Sequence, residues 1–262
     1  MNNKKEIKVF CTGGWDSTFM LCKLSRESIA ITPIYAFNPQ RQSRNQELDA
    51  IKKILRLLSN HPATKAILNK LQIVDISKIK INPTIRDARK RLATEVGLPG
   101  YGCQYDYLAT IAQEFELVGL GIEKTNYDVA ALAIKKFAQI KKMKYGYVPD
   151  LTKSSADVNL VFGHIVFPII DITEREMLEW VNKNKYQSIM ELTWFCHSPV
   201  DGYPCGLCRP CEQKMDAGMN FLLPKQAQKR YFKAKKWQMF GKKTSRSIKN
   251  LKLRFLSNKP KK

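Results

Sequence analysis

Two stretches of this sequence set reactive side chains at spacings that chemistry can use. The first is Cys11-Thr12-Gly13-Gly14-Trp15-Asp16-Ser17-Thr18, between the apolar run Ile7-Lys8-Val9-Phe10 and Phe19-Met20-Leu21-Cys22-Lys23-Leu24. The second is Cys196, Cys205, Cys208 and Cys211, spaced C-x8-C-x2-C-x2-C. In the first, a short buried strand runs through two glycines into a helix. Gly13 and Gly14 let the backbone turn tightly and leave N–H groups exposed. Together with the positive end of the helix dipole, those groups form a cradle for phosphate. Asp16 sits at the loop–helix junction, able to orient Mg2+ or to cap the helix, and Ser17 and Thr18 add hydroxyl donors. A plain strand–turn–helix corner capped by Asp16 accounts for the same residues. The lysine and four-residue spacer of a Walker loop are missing, and no third glycine completes a dinucleotide fingerprint.

The cysteine set points to metal. Thiolates two residues apart around a Gly turn can face one tetrahedral ion, and an eight-residue loop is long enough to bring in the fourth. Four sulfurs close the coordination sphere, so a Zn2+ here would hold structure and activate no water. Free thiols or a redox pair are the competing readings. Crowded cysteines in a reducing compartment favour metal over disulfides.

The elements that must position these residues follow from pattern. Ala30–Phe37 reads as a second buried strand ending at the polar turn Asn38-Pro39-Gln40-Arg41, and Asn45–Leu58 carries Leu48, Ile51, Ile54, Leu55 and Leu58 at helical spacing. Leu71–Asp75, Leu117–Ile122 and Val161–Pro168 are expected as strands; Thr84–Val96, Tyr105–Phe115 and Asp128–Lys142 as helices. Leu98–Gly102 is read as a loop, and Lys144–Asn159 as a loop or lid. Thr173-Glu174-Arg175-Glu176 fits a capping box opening a helix through Met177, Trp180 and Val181. The alternation implies an α/β fold with a parallel sheet and helices on its faces. Ligands in such sheets sit at the C-terminal strand ends. That rule assigns Tyr35, Phe37 and Asn38 to adenosine and Arg41 to phosphate or substrate, with a solvated loop charge as the alternative for Arg41. Gly121 implies close backbone approach to a ligand or helix, or simply small-residue packing. His61, His164 and His197 are isolated, and none is read as a metal ligand.

At 262 residues the chain can bury a full core, and its net charge is +22. The charge is uneven: Lys225–Lys262 holds 15 Lys/Arg and no Asp or Glu, while the rest holds 30 Lys/Arg against 23 Asp/Glu. A cationic arm of this kind suits phosphate-rich partners or an acidic protein surface. Tyr231, Phe232, Trp237, Phe240 and Phe255 are interleaved with its cations and could stack on bases or pack the arm back on the body. Ser245–Leu256 has the pattern of a basic amphipathic helix. No stretch approaches a membrane span and the first residues lack a signal peptide's apolar run, so a cytoplasmic protein is the expectation.

The loop resembles the Ser-Gly-Gly-x-Asp-Ser pyrophosphate loop of the N-type ATP pyrophosphatases, with Thr12 in place of the first serine. Together with the cysteine spacing, it resembles the 7-cyano-7-deazaguanine (preQ0) synthases over roughly Lys8–Lys214. Asn38-Pro39-Gln40-Arg41 is similar to that family's Tyr-Gly-Gln-Arg, and Leu98-Pro99-Gly100 to its Val-Pro-Gly-Arg-Asn. Phe167-Pro168-Ile169 falls where the family has its Pro-Leu strand end. The resemblance implies a Rossmann-like, adenine nucleotide alpha hydrolase-like domain over 1–190, a zinc segment over 191–224 and the basic arm over 225–262. It implies ATP and Mg2+ at Thr12, Gly13, Gly14, Trp15, Asp16, Ser17, Thr18, Tyr35, Phe37, Asn38, Gly100 and Gly121. Catalytic roles fall to Asp16, Ser17 and Arg41, and Zn2+ to Cys196, Cys205, Cys208 and Cys211.

Members of that family adenylate 7-carboxy-7-deazaguanine, form the amide with ammonia, then adenylate the amide and eliminate to a nitrile. AMP supplies the leaving group that a carboxylate lacks. Departures fall in the acceptor half. The family's Asp-x-Ser-x-Tyr-Pro-Asp-Cys-Arg is Asn126-Tyr127-Asp128-Val129-Ala130-Ala131-Leu132 here; its Thr-Lys-x-Glu is Thr173-Glu174-Arg175-Glu176; and Tyr101 stands where arginine is usual. The expectation is a ligase that activates a 7-carboxy-7-deazaguanine-type acid for attack by an amine, including one on a protein, as in synthase-like enzymes of antiphage systems. The authentic nitrile synthase, a tRNA-modifying ATPase of the same superfamily, and a non-enzymatic zinc protein binding nucleic acid are the alternatives. Candidate partners are a protein acceptor, nucleic acid on the arm and a second copy in a homodimer.

Overall fold

The strand most completely embedded in the sheet, β1 (Glu6–Phe10), follows directly on the first described residue: the structure, a computed structural model, describes residues 5–237. The chain divides into two units, Met1–Trp194 and Phe195–Lys262. In the first, β1 leads to α1 (Trp15–Ser25), β2 (Ala30–Phe37), α2 (Arg44–Ser59), β3 (Ile67–Leu68) and β4 (Gln72–Asp75). Then come α3 (Pro83–Glu95), α4 (Gln104–Ala112), β5 (Val118–Gly119), α5 (Val129–Phe137), β6 (Ile140–Met143), β7 (Gly146–Pro149) and α6 (Ala156–Phe162). β8 (Ile165–Val166), α7 (Glu174–Asn184) and α8 (Gln187–Met190) complete it.

The central sheet has the order β3-β2-β1-β5-β8, with β4 also on β2, and every pairing in it is parallel. This is an α/β architecture with helices flanking a parallel sheet. β1 is bounded by β2 on one side and β5 on the other, so the chain reverses its direction of travel across the sheet at β1. Helix α1 is buried along nearly its whole length, including Phe19, Met20, Leu21 and Cys22. A cluster around Phe10, Ile34, Leu92, Tyr105, Phe162 and Phe167 fills the space between the sheet and α3–α6.

β3 escapes the sequence pattern for a physical reason. Ile67 N–H donates to Ile29 O and Asn69 N–H to Ile31 O, so odd-numbered β2 residues face that flank. Pro33 therefore withdraws a donor there, and the neighbouring ladder breaks into two short pieces, β3 on Ala30–Ile31 and β4 on Ile34–Phe37. Asn69 Nδ2 bridges the gap to Thr32 Oγ1 at 2.8 Å.

Several expectations are corrected. The helix expected over Asp128–Lys142 starts as read, with Asp128 as N-cap, but ends at Phe137, because Ala138 is extended and the following residues form an antiparallel hairpin. The loop or lid expected over Lys144–Asn159 is the second arm of that hairpin, β7, followed by the start of α6, whose N-terminus Ser155 caps. The strand expected over Val161–Pro168 is only Ile165–Val166, because α6 runs through Phe162. The Leu117–Ile122 strand is likewise reduced to Val118–Gly119. The capping box at Thr173 and Glu176 is present as read.

In the second unit α9 (Arg209–Asp216) follows the cysteine loop, and residues 225–237 are helical. The first part of the cationic arm is thus ordered against the cysteine segment, with Ala227 and Tyr231 buried. The helix read over Ser245–Leu256 lies outside the described residues.

Candidate functional site

The turn after β1 is held from three directions. Gly13 has φ +69°, and a Cβ there would come within 3.1 Å of both Glu47 O and Ile51 Cγ1 on α2. Only glycine meets both demands. On a second side Trp194 N–H donates to Gly13 O at 2.8 Å. On the third, a Cβ at Gly121 would sit 2.9 Å from Asp16 O. The close approach inferred for Gly121 is therefore an approach to the first turn of α1.

Inside the turn the hydroxyls form a clasp. Thr12 N–H donates to Ser17 Oγ at 3.2 Å, Thr12 Oγ1 and Ser17 Oγ lie 3.1 Å apart, and Gly14 N–H donates to Thr12 Oγ1 at 3.3 Å. Ser17 Oγ donates onward to Gly14 O. The helix begins at Trp15, earlier than Phe19, and its N-cap is Gly14, which has no side chain to cap with. Asp16 is thus not the cap; it is a half-buried carboxylate in the first turn, where the helix dipole favours negative charge. Trp15 and Thr18 turn their side chains inward, and Thr18 N–H is committed to Gly14 O at 3.0 Å. Backbone from Thr12 to Ser17, with the exposed Thr12, forms the open part of the turn.

Next to it, after β2, a buried carboxylate organises the loop. Glu47 accepts from Tyr35 Oη at 2.8 Å, Ser43 Oγ at 2.6 Å and Arg41 Nη1 at 3.1 Å. Tyr35 is buried, so its ring serves this contact, and burial first and the Glu47 carboxylate second push its pKa up. Phe37 and Asn38 are half-buried at the strand end, and Asn38 Oδ1 accepts from Gln40 N–H at 2.9 Å, closing the turn that presents Arg41. Arg41 is therefore an oriented cation, one-third exposed, in contrast to a solvated loop charge.

Helix α4 contributes two tyrosines. The Tyr107 pKa is raised by burial above all, while Arg41 pulls it down and Glu47 pushes it up. Tyr105 is buried, donates to both Asp128 oxygens at 2.8 and 2.9 Å, and is pushed up by burial, by Asp128 and, more weakly, by Asp16. Farther along, Tyr127 Oη donates to the buried Glu123 at 2.8 Å. Gly100, with φ +83°, lies on the exposed loop before α4, with no atom within 4 Å of a Cβ placed there. Behind α4, Arg89 and Asp106 form a buried two-pronged pair at 2.8 and 2.8 Å.

The structure thus brings Thr12–Ser17, Arg41 and Gly121 to one region of the C-terminal strand edge. Glu47 and Ser43 join them without having been singled out from sequence. Glu47 carried a signal: it occupies the apolar stripe of α2, four residues before Ile51, where a charge must find partners. Arg89 carried the same signal between Ile85 and Leu92. A cavity of about 510 Å³ lined by Leu117, Val148, Leu151, Asn159 and His164 lies at the opposite, N-terminal strand edge and contains none of these residues.

In the second unit, the sulfurs of Cys196, Cys205, Cys208 and Cys211 all lie within 4.8 Å of one another. The Cys205–Cys211 and Cys196–Cys208 sulfur distances are both 3.9 Å. A tetrahedral zinc with Zn–S bonds of about 2.3 Å needs sulfurs about 3.8 Å apart. Backbone N–H groups of Leu207 and Cys208 donate to Cys205 Sγ, and that of Cys205 to Cys196 Sγ, as thiolate ligands require. Without a cation, the crowded sulfurs cannot all ionise. Hydrogen bonding from Cys196 holds Cys208 down, while Cys196 itself is pushed up to about 11. The cluster fits zinc, and no disulfide forms among the described residues. Of the histidines, His61 stacks on Tyr186 at 4.1 Å and His164 Nδ1 lies 3.1 Å from Phe115 O.

No family model matches the chain, and no curated protein matches it. The functional reading therefore stands on the residues. No helix among the described residues is long and apolar enough to cross a membrane.

Proposed function

We propose that the chain is an ATP-dependent C–N ligase similar to the preQ0 synthases, activating a 7-carboxy-7-deazaguanine-type acid as its adenylate. The observation that carries this reading is the clasped Thr12–Ser17 turn, which lies after β1, where the strand order reverses between β2 and β5. Reversal points of this kind, in Rossmann-like sheets, are where nucleotides bind. Gly13 N–H, joined by the Thr12 and Gly14 N–H groups once they exchange their hydroxyl partners in the clasp for phosphate oxygens, would hold the departing pyrophosphate, and Asp16 would be the Mg2+ ligand. Arg41, oriented by Glu47, would offset charge developing on phosphate oxygens. In the reaction a carboxylate oxygen attacks the α-phosphorus, the bond to pyrophosphate breaks, and an amine later displaces AMP. Zinc at the four cysteines would supply structure alone, since no coordination position is left for water.

The acceptor half supports a redirected amine. Asp128 serves as helix cap and Tyr105 partner, Thr173 and Glu176 serve each other, and Arg175 is largely exposed beside Glu179. Asp128, Thr173 and Glu176 are thus already committed within this chain. Incubation with ATP, Mg2+ and 7-carboxy-7-deazaguanine, read by pyrophosphate release and mass spectrometry, tests the proposal. Acid-dependent pyrophosphate release supports it, and its absence with this acid overturns it. Ready release of the nitrile with ammonia alone would replace the redirected amine with the parent reaction.

A further inference from the structure

Residues 225–237 divide their side chains between two tasks. Leu223, Ala227 and Tyr231, at four-residue steps, are buried. Arg230 Nε donates to Cys205 O at 2.7 Å and Nη2 to Pro204 O at 3.3 Å. A Cβ at Gly206 would overlap Ala227 O at 2.1 Å, so helix and cysteine loop touch backbone to backbone. Tyr231 Oη donates to Asp216 on α9, and Lys235 Nζ lies 3.5 Å from the same carboxylate. One face of the helix is thus fastened to the cysteine segment.

The other face is exposed: Lys225, Lys229, Phe232, Lys233 and Lys236 recur at steps of three and four residues, with Trp237 at the end of the stretch. Phe232 is 61% exposed and Trp237 70%. The Phe232 ring is braced edge-to-face against Tyr231 at 5.3 Å. No acidic residue occurs from Lys225 to the last residue. Cations alone would serve for solubility or for an acidic peptide, and neither use gives the rings a partner. A duplex keeps its bases stacked out of reach. Two rings among four lysines also offer too little apolar area for burial in a lipid interface. Single-stranded nucleic acid uses both features, offering phosphates to ammonium groups and flat bases to rings.

We propose that this exposed face is a docking surface for single-stranded nucleic acid, with Phe232 and Trp237 stacking on bases and Lys225, Lys229, Lys233 and Lys236 meeting phosphates. The proposal stands on the C-terminal unit alone and is independent of the ligase reading.

Fluorescence anisotropy of the full chain, with a short labelled RNA single-stranded or annealed to its complement, tests it. The single strand should bind more tightly than the duplex, with affinity falling steeply as salt rises. Phe232→Ala with Trp237→Ala should weaken single-strand binding by about tenfold or more. That variant leaves every positive charge in place, so lysines elsewhere in the arm cannot mimic the effect. Phe232→Leu with Trp237→Leu, which keeps apolar bulk, should lose binding equally, and unchanged zinc content confirms a folded unit. Single-strand affinity unchanged by loss of the rings overturns the proposal. So does equal binding of the duplex, or displacement of the RNA by poly-glutamate or phosphatidylserine vesicles at matched charge.

Discussion

A single methyl group at position 121 isolates the fit between the end of β5 and the first turn of α1. In Gly121→Ala the new Cβ would lie 2.9 Å from Asp16 O and 3.0 Å from Asp16 C and Ser17 N, all backbone atoms. Gly121 does not occupy the left-handed region, so alanine adds no torsional strain and the whole effect is contact. Ordinary carbon contacts begin near 3.5 Å, so one backbone must retreat by about half an ångström. Overpacking of this kind costs about 1–3 kcal/mol. At about 2–4 °C per kcal/mol for a chain of this size, Tm should fall by about 2–12 °C. The same shift moves the turn that would grip pyrophosphate. If a 1 Å misplacement costs about a hundredfold, half of that costs about tenfold in acid-dependent pyrophosphate release. Gly97→Ala is the control: φ is +76° with no atom within 4 Å of the new Cβ. It should cost about 1–2 kcal/mol of strain and leave the rate alone. A Gly121→Ala variant with wild-type Tm and rate would refute the close-fit reasoning.

Other expectations follow from the same geometry. Cys208→Ser should lose zinc on purification, read by elemental analysis, and should expose residues 195–237 to proteolysis while the first unit keeps its melting transition. Asp106→Ala strands the buried Arg89 guanidinium and should cost about 3–5 kcal/mol in denaturant unfolding, whereas Arg89→Met with Asp106→Leu should recover most of it. Glu47→Gln removes the anion that orients Arg41, so it should lower kcat/KM for pyrophosphate release more than it lowers Tm. Glu176 is held below its ordinary 4.5 by the Thr173 hydroxyl first and the Thr173 N–H second. Its contribution is therefore present above 4.5 and fades as pH falls through the depressed value. The Tm gap between wild type and Glu176→Ala should close on acidification, and a gap constant with pH would contradict the assignment.

Much of this architecture could be read from residue order. The glycine pair, the Ala30–Phe37 strand, the α2 stripe, the capping box and the cysteine spacing are local patterns with local causes, and each appears where it was read. What escaped depends on partners distant in the chain. Ile67–Leu68 is too short to show periodicity and exists because Pro33 splits its neighbour's edge. Ile140–Met143 continues the lysine-rich pattern of the preceding helix, yet Tyr147 bridges to Phe167 and draws that segment into a hairpin. Glu47, a charge on the apolar stripe of α2, signals that it needs partners, but that these are Tyr35, Ser43 and Arg41 shows only in the structure. Of the cationic arm, sequence could offer stacking or packing as alternatives; the described helix packs Ala227 and Tyr231 on one face and leaves Phe232 and Trp237 exposed.

The sheet is unevenly knitted. β2 shares five registered residues with β1, but β5 is joined to β1 through Lys8–Val118 and Val9–Gly119 alone, and to β8 through two rungs as well. Amide protons on that flank should exchange with solvent well before those of β1–β2. Gly121 hangs just beyond those rungs, so the mouth of the turn can breathe by unlatching one margin while the rest of the protein stays closed.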